Sequence, residues 1–305
     1  MAVTQQLPNP TLRARLFGAR CIPMLTDEAL YEQTGVRIAF TTREGGVSQP
    51  PYASLNLGSH VGDNSADVLE NRARVLQALG AASDSVVVPN QIHGHELVEV
   101  ESADSEALEH ARMLAAKGAD GLVVTCAEVS ALLCFADCVP VIIVAPNGTF
   151  AVVHAGWRGV MSNIAPYALV DLAKRACASS ALFDAASDAV SGTASDALSD
   201  TPDEAAFMQA CNIYIGPHIC ESCFETSEEL AHQFADTFSS ACVPDNRHVN
   251  LTEALKISLV KAGADSSRIV DAHACTQECV DTYFSYRAEG GMCGRHGAIA
   301  FKKEL

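Results

Sequence analysis

No stretch of this 305-residue chain approaches the ~18 uninterrupted apolar residues that a membrane-spanning helix needs. The opening residues, MAVTQQLPNPTLRARLFGAR, hold no apolar run of signal-peptide length, so the sequence reads as a soluble, cytoplasmic protein. Positive charge is scarce as well: 20 Lys and Arg stand against 37 Asp and Glu, a formal net charge of −17. A chain this acidic repels nucleic acid and anionic lipid, so neither is an expected partner. An anionic small substrate would need a locally basic pocket set against that field. Two phosphate-binding signatures are missing: there is no G-x-G-x-x-G between a strand and a helix and no G-x-x-x-x-G-K-[ST]. Dinucleotide and ATP binding lose their support accordingly.

Cysteine, by contrast, is plentiful. Twelve cysteines without an export signal read as thiols or metal ligands rather than a disulfide framework. Residues 1–20 read as a flexible N-terminal tail and 21–305 as one domain. Short strands are expected at 36–41, 119–125, 130–135, 212–219 and 268–272, and amphipathic helices at 66–80, 105–118, 163–178, 227–238 and 251–263. The stretch 86–100 reads as strand, turn, strand, with His93 in the turn, and the C-terminal part as loop between short strands. A segment rich in Ala, Ser and Asp at about 179–208 reads as a low-complexity insertion, disordered or weakly helical. Strands and helices do not alternate strictly, so an α+β domain with mixed sheets is expected rather than a doubly wound fold.

The densest chemistry lies in LLCFADCVPVIIVAPNGTFAVVHAGWRG (132–159). Two apolar runs flank Asn147-Gly148, a strong hairpin signal. With a two-residue turn there, residue 141 lies opposite 154, and Cys138 and His154 share one end of the hairpin. Pro140 is expected to interrupt the ladder and leave Cys138 in a loop. A thiolate and an imidazole so placed can bind zinc, form a Cys–His nucleophile pair, or be a buried Cys and a satisfied core His. His93, in VPNQIHGHE, adds a third donor. One Cys and two His with room for a water match a catalytic zinc site, although no local spacing joins the three. Cys220, Cys223, Cys275 and Cys279 offer a rival: four thiolates for a structural zinc, or ordinary thiols. Arg43, Arg158, Arg287 and Arg295 are candidate anion binders or surface ion pairs, and Asn56 binds a sugar hydroxyl or caps a turn.

The motifs TTREGGVS, PYASLNLGSHVGD, QIHG, ADGLVVT, ADCVPVIIV, HAGWRG, IGPHI, FSYR and GR occur in that order within about residues 36–302. The chain resembles in them the laccase-domain family of purine nucleoside phosphorylases, formerly labelled multicopper polyphenol oxidases or peptidoglycan editing factors. The resemblance implies a single layered α/β/β/α domain similar to the cytotoxic-necrotizing-factor-like Cys–His hydrolases. It implies His93, Cys138 and His154 as catalytic residues and metal ligands, with zinc as cofactor and copper able to bind in vitro. The implied substrates are phosphate and purine nucleosides: adenosine, inosine, guanosine and S-methyl-5′-thioadenosine by phosphorolysis, and adenosine by deamination. Zinc-activated water would account for the deamination. Beside this implied site, Arg43 and Arg287 are our candidates for phosphate and Asn56 for ribose. Thr226 and His296 depart from the family pattern, and His296 is expected to be an exposed lone histidine.

Three other functions compete. A Cys–His hydrolase would use Cys138 as nucleophile and His154 as base, fitting an editing role on peptidoglycan precursors. A copper polyphenol oxidase needs several copper centres and many more paired histidines than one His–Cys–His set. A non-catalytic scaffold draws support only from the low-complexity insertion.

Overall fold

Alternation of apolar and polar residues fails in the two longest greasy runs, VPVIIV and FAVVHA, which are apolar at nearly every position. Strands covered on both faces require that pattern, and every residue of both runs is buried. The computed structural model describes residues 6–191 and 204–303. Its elements run in chain order β1 (Arg13–Phe17), β2 (Ile22–Thr26), α1 (Glu28–Thr34), β3 (Val36–Thr41), α2 (Ser65–Leu79), β4 (Val86–Val87), β5 (Leu97–Val100) and α3 (Ser105–Lys117). They continue with β6 (Gly121–Val124), β7 (Ser130–Phe135), β8 (Val139–Val144), β9 (Phe150–Ala155), α4 (Trp157–Met161), α5 (Ile164–Ser191) and α6 (Glu204–Ala210). The last are β10 (Asn212–Ile215), α7 (Glu228–Thr237), α8 (Leu251–Lys261), β11 (Ile269–Asp271) and β12 (His296–Lys302).

The strands form two six-stranded mixed sheets, ordered β1-β2-β3-β12-β7-β4 and β11-β10-β8-β9-β6-β5. Phe40, Leu133, Phe135 and Ala298 of the first sheet share one apolar cluster with Leu122, Ile142, Phe150 and Tyr214 of the second, so the main core lies between the sheets. Helix α2 places Val75, Leu76 and Leu79 on the outer face of the first sheet, against Ile22, Met24 and Ile299. Helices α5, α7 and α8 cover the outer face of the second through Leu169, Leu172, Phe234, Leu255 and Leu259. The α+β expectation therefore holds, in four layers.

Local chemistry explains the helix ends. Asn64 caps α2 by accepting from the Ala66 N–H, and Gly80 ends it at φ 78°, a left-handed conformation that glycine adopts without Cβ strain. Among the described residues no helix is long and apolar enough to cross a membrane.

Several expectations need correcting. Residues 13–17, placed in the tail, form the edge strand β1, and Leu7 is already buried. The strand, turn, strand read at 86–100 is present as β4 and β5, which join different sheets. The β8–β9 turn carries one more residue than expected: Ala145 pairs with Thr149, Gly148 takes φ 81°, and Pro140 rather than Val141 faces His154. Pro140 does not break the ladder; it lies inside β8, and its carbonyl accepts from Gly216 N–H at 2.9 Å. Helix α5 runs to Ser191 and α6 begins at Glu204 with Phe207 in the core, so the expected insertion is helical at both ends. Its middle, 192–203, lies outside the described residues. The C-terminal region supplies β12, a central strand of seven residues rather than a short one.

The sheets approach closely where Gly216 follows β10. A Cβ there would lie 2.3 Å from Phe40 Cδ1 and 2.8 Å from Pro140 Cγ. Gly216→Ala is expected to cost about 1–3 kcal/mol by overpacking. Urea unfolding would show it as a lower midpoint at unchanged slope.

Candidate metal centre

The chain delivers two of its three chemical donors from the passages between sheets and the third from a strand. His93 sits on the connection from β4 to β5, and Cys138 ends the three-residue link from β7 to β8. His154 belongs to β9 itself and is 3% exposed. One ligating atom from each of the three lies within 4.8 Å of the others. The rings of His93 and His154 meet edge to face, 4.8 Å between centroids. Gly156 makes room for the trio, since a Cβ at that position would stand 3.1 Å from Cys138 Sγ and 3.3 Å from the His93 ring.

Asp120 holds this arrangement together. It is fully buried just ahead of β6. Its Oδ1 accepts from His154 Nδ1 at 2.7 Å and from His93 N–H at 3.0 Å. Its Oδ2 accepts from Gly94 N–H at 2.6 Å and Ile92 N–H at 3.3 Å. One carboxylate thus fixes the tautomer of His154, leaving Nε2 as its ligating atom, and pins the loop that carries His93 in a left-handed backbone of φ 58°. Burial raises the Asp120 pKa, but the His154 hydrogen bond and the Gly94 N–H outweigh it and hold the carboxyl below the usual range.

Burial likewise pushes the Cys138 thiol up, yet His154 and then His93 overcome it and bring the thiol down to about 6. Burial pulls His154 down, while Cys138 and Asp120 together lift it to about 9. In metal-free protein, iodoacetamide labelling of Cys138 should therefore rise through about pH 6 and then level off. A thiol of ordinary pKa would still be gaining reactivity above pH 8. Peptide mapping across pH distinguishes the two profiles.

The three donors open into a cavity of about 380 Å³, lined also by His60, Gln91, Phe135, Phe224, Tyr286, Arg287 and Arg295. That volume lies within the range of small-molecule sites. Gln91 braces one wall by a two-way backbone pairing with Cys134, donating to its carbonyl and accepting from its N–H at 2.8 Å each. His60 is held below its ordinary pKa by burial and by the positive charges of Arg295 and Arg72. Asp137 accepts from the Thr276 hydroxyl at 2.6 Å and from the Arg287 N–H at 2.7 Å, tying the C-terminal loop to the ligand loop.

The candidate substrate residues divide. Arg287 lines the cavity, and its guanidinium also donates to the carbonyls of Cys223 and Glu225. Arg43 does not line it: its guanidinium donates to the Ala53 and Val280 carbonyls, pairs with Glu289 at 3.0 Å and stacks on Phe284. Asn56 is fully buried, holding Asp63, both peptide groups of the Gly58 turn and the Arg295 N–H. Both residues act as structural ties here, Asn56 in the turn-capping role that was the alternative reading for it. Arg158 lies over Trp157 and stays outside the cavity, whereas Arg295 lines it. His296 is buried, not exposed, because it opens the central strand β12 between Phe135 and Tyr283. His95, two residues after His93, is exposed beside Glu96 and does not join the donors.

Sequence reasoning missed Asp120, Asp137, His60 and Tyr286 as contributors. A faint signal existed for the two aspartates. Each stands at the edge of an apolar strand, where a carboxylate must find buried donors or stay outside.

A family model described as multi-copper polyphenol oxidoreductase laccase matches residues 37–201 and 188–303. Purine nucleoside phosphorylase YlmD of Geobacillus stearothermophilus is 30% identical over 279 residues, covering 88% of this chain and 91% of that protein. Adenosine deaminase RL5, from an unknown prokaryotic organism, is 27% identical over 274 residues, 87% of this chain and 94% of that one. The crystal structure of the Geobacillus YlmD matches with a TM-score of 0.73 and 28% identity, covering 95% of this chain and all of that one.

Proposed function

This chain belongs to the multi-copper polyphenol oxidoreductase laccase family, and from that premise we propose that it is a zinc-dependent enzyme of purine nucleosides, phosphorolytic towards adenosine, inosine, guanosine and methylthioadenosine and deaminating towards adenosine. The observation that carries this reading is the meeting of His93, Cys138 and His154 at a cavity that also presents aromatic faces and two arginines. Relatives bearing the names purine nucleoside phosphorylase and adenosine deaminase support the substrate class.

The donor set fits zinc: one thiolate, two imidazoles, and a buried carboxylate orienting one imidazole through its far nitrogen. Bound zinc supplies Lewis acidity that activates water at neutral pH. The rest falls to the chain. Phe135, Phe224 and Tyr286 offer flat apolar surface to a purine. Phosphorolysis breaks the bond from ribose C1′ to the base nitrogen and joins C1′ to a phosphate oxygen. That step needs a dianion held beside a centre of developing positive charge. Arg287 and Arg295 are the cavity's cations, and Arg295 takes the place first given to Arg43. A polyphenol oxidase draws less support, because among the described residues this is the one His-containing group of close metal donors. Metal analysis yielding several coppers per chain would reverse that choice.

Purified protein given adenosine and phosphate should release inosine, adenine and ribose 1-phosphate, resolved by liquid chromatography. Zinc-loaded protein that turns over neither route sinks the proposal. A second reading has its own observation: Asp120, His154 and Cys138 stand in the order of an acid–base–nucleophile triad. Cys138 alkylation decides between them, since zinc protects a coordinated thiolate and leaves a free nucleophile exposed.

A further inference from the structure

Outside the cavity described above, Cys220, Cys223, Cys275 and Glu278 bring three sulfurs and a carboxylate oxygen within 4.8 Å of one another. The Cys220 and Cys223 sulfurs each lie 3.7 Å from Glu278 Oε1, and the Cys220 N–H donates to Cys275 Sγ at 3.4 Å. A zinc tetrahedron with metal–sulfur bonds of 2.3 Å has edges of about 3.8 Å, so small rotations suffice to close the set. Cys279, the fourth thiol expected from the sequence, is exposed and gives way to its neighbour Glu278. All four cysteines are free thiols.

We propose that Cys220, Cys223, Cys275 and Glu278 form a second zinc site, structural in kind, that clamps the 216–226 loop to the 272–287 loop. Its position gives it a purpose. Ile219 and Phe224, next to Cys220 and Cys223, line the active cavity, and the Cys223 carbonyl accepts from Arg287. The clamp therefore sets one wall of that cavity and the seat of its arginine. Cys220, Cys275 and Glu278 also border a separate cleft of about 320 Å³, which gives an ion a route in. Three thiolates favour zinc over the harder divalent cations.

The test uses Cys138→Ala, which disables only the first centre, purified under reducing conditions and dialysed against zinc. Retention of one zinc per chain, and thiolate-to-cobalt charge-transfer absorption after cobalt exchange, is the expected result. Adding Cys223→Ser should abolish both signals. Should the double variant fail to fold, Glu278→Gln on the Cys138→Ala background should instead weaken zinc retention against a chelator and leave the three-thiolate absorption in place. A Cys138→Ala protein that holds no zinc, or whose cobalt form lacks thiolate absorption, overturns the proposal. So does a Cys220–Cys223 disulfide that forms in preference to metal uptake. None of these readouts depends on nucleoside turnover, so failure here is separate from failure of the catalytic reading.

Discussion

Cys138→Ala should lose every nucleoside activity and one zinc per chain together. The thiolate is the sole anionic donor of its centre, and the two remaining imidazoles sit on separate elements with no charge to hold a dication between them. His154 stays packed and hydrogen-bonded to Asp120, so the variant should fold, with far-ultraviolet dichroism unchanged. Turnover of adenosine by phosphate and by water should fall below detection in the same preparation. Either activity surviving the loss of zinc would separate catalysis from the metal.

Asp120→Asn should be nearly as damaging, for a different reason. The carboxylate accepts four hydrogen bonds, two at each oxygen. An amide can accept at only one end, so its NH₂ must face either the Ile92 and Gly94 N–H groups or the His93 N–H and His154 Nδ1. Both choices set donor against donor in a buried place, loosening one imidazole or forcing the other into the wrong tautomer. Losses at such outer partners run to about 10–100-fold in metal affinity or activity. Chelator competition measures the affinity, and a thermal melt of the metal-free variant separates loss of positioning from general instability. Unchanged zinc affinity would return Asp120 to a purely structural role.

The fold was legible wherever one stretch of chain decides its own conformation. Capped amphipathic helices such as 65–79 and the apolar runs of β8 and β9 could be read directly, because period and end signals are local. The register of the β8–β9 turn was not, since Asn-Gly serves two-residue and three-residue turns alike. Strands β4 and β5 could be read as strands but not assigned to separate sheets, as nothing in a short sequence says which sheet a strand will join. At the site, the residues with reactive side chains could be named. The residues that orient them could not. Arg43 and Arg295 are both arginines beside glycines, and only the position of Glu289 beside the former shows which one already has an acidic partner.

The proposed metal centre straddles a seam. Two of its three donors lie where the backbone leaves one sheet for the other, and the third is anchored in the second sheet. Neither sheet alone can assemble it, so an ion bound there would double as a reporter of tertiary docking. Binding energy gained there is returned to the interface between the layers. A change that wedges the sheets apart without altering a donor, at Phe40 and Gly216 for instance, should let the metal escape while helices and strands are still intact. Chelation, in turn, should loosen the whole sandwich and not merely silence one pocket.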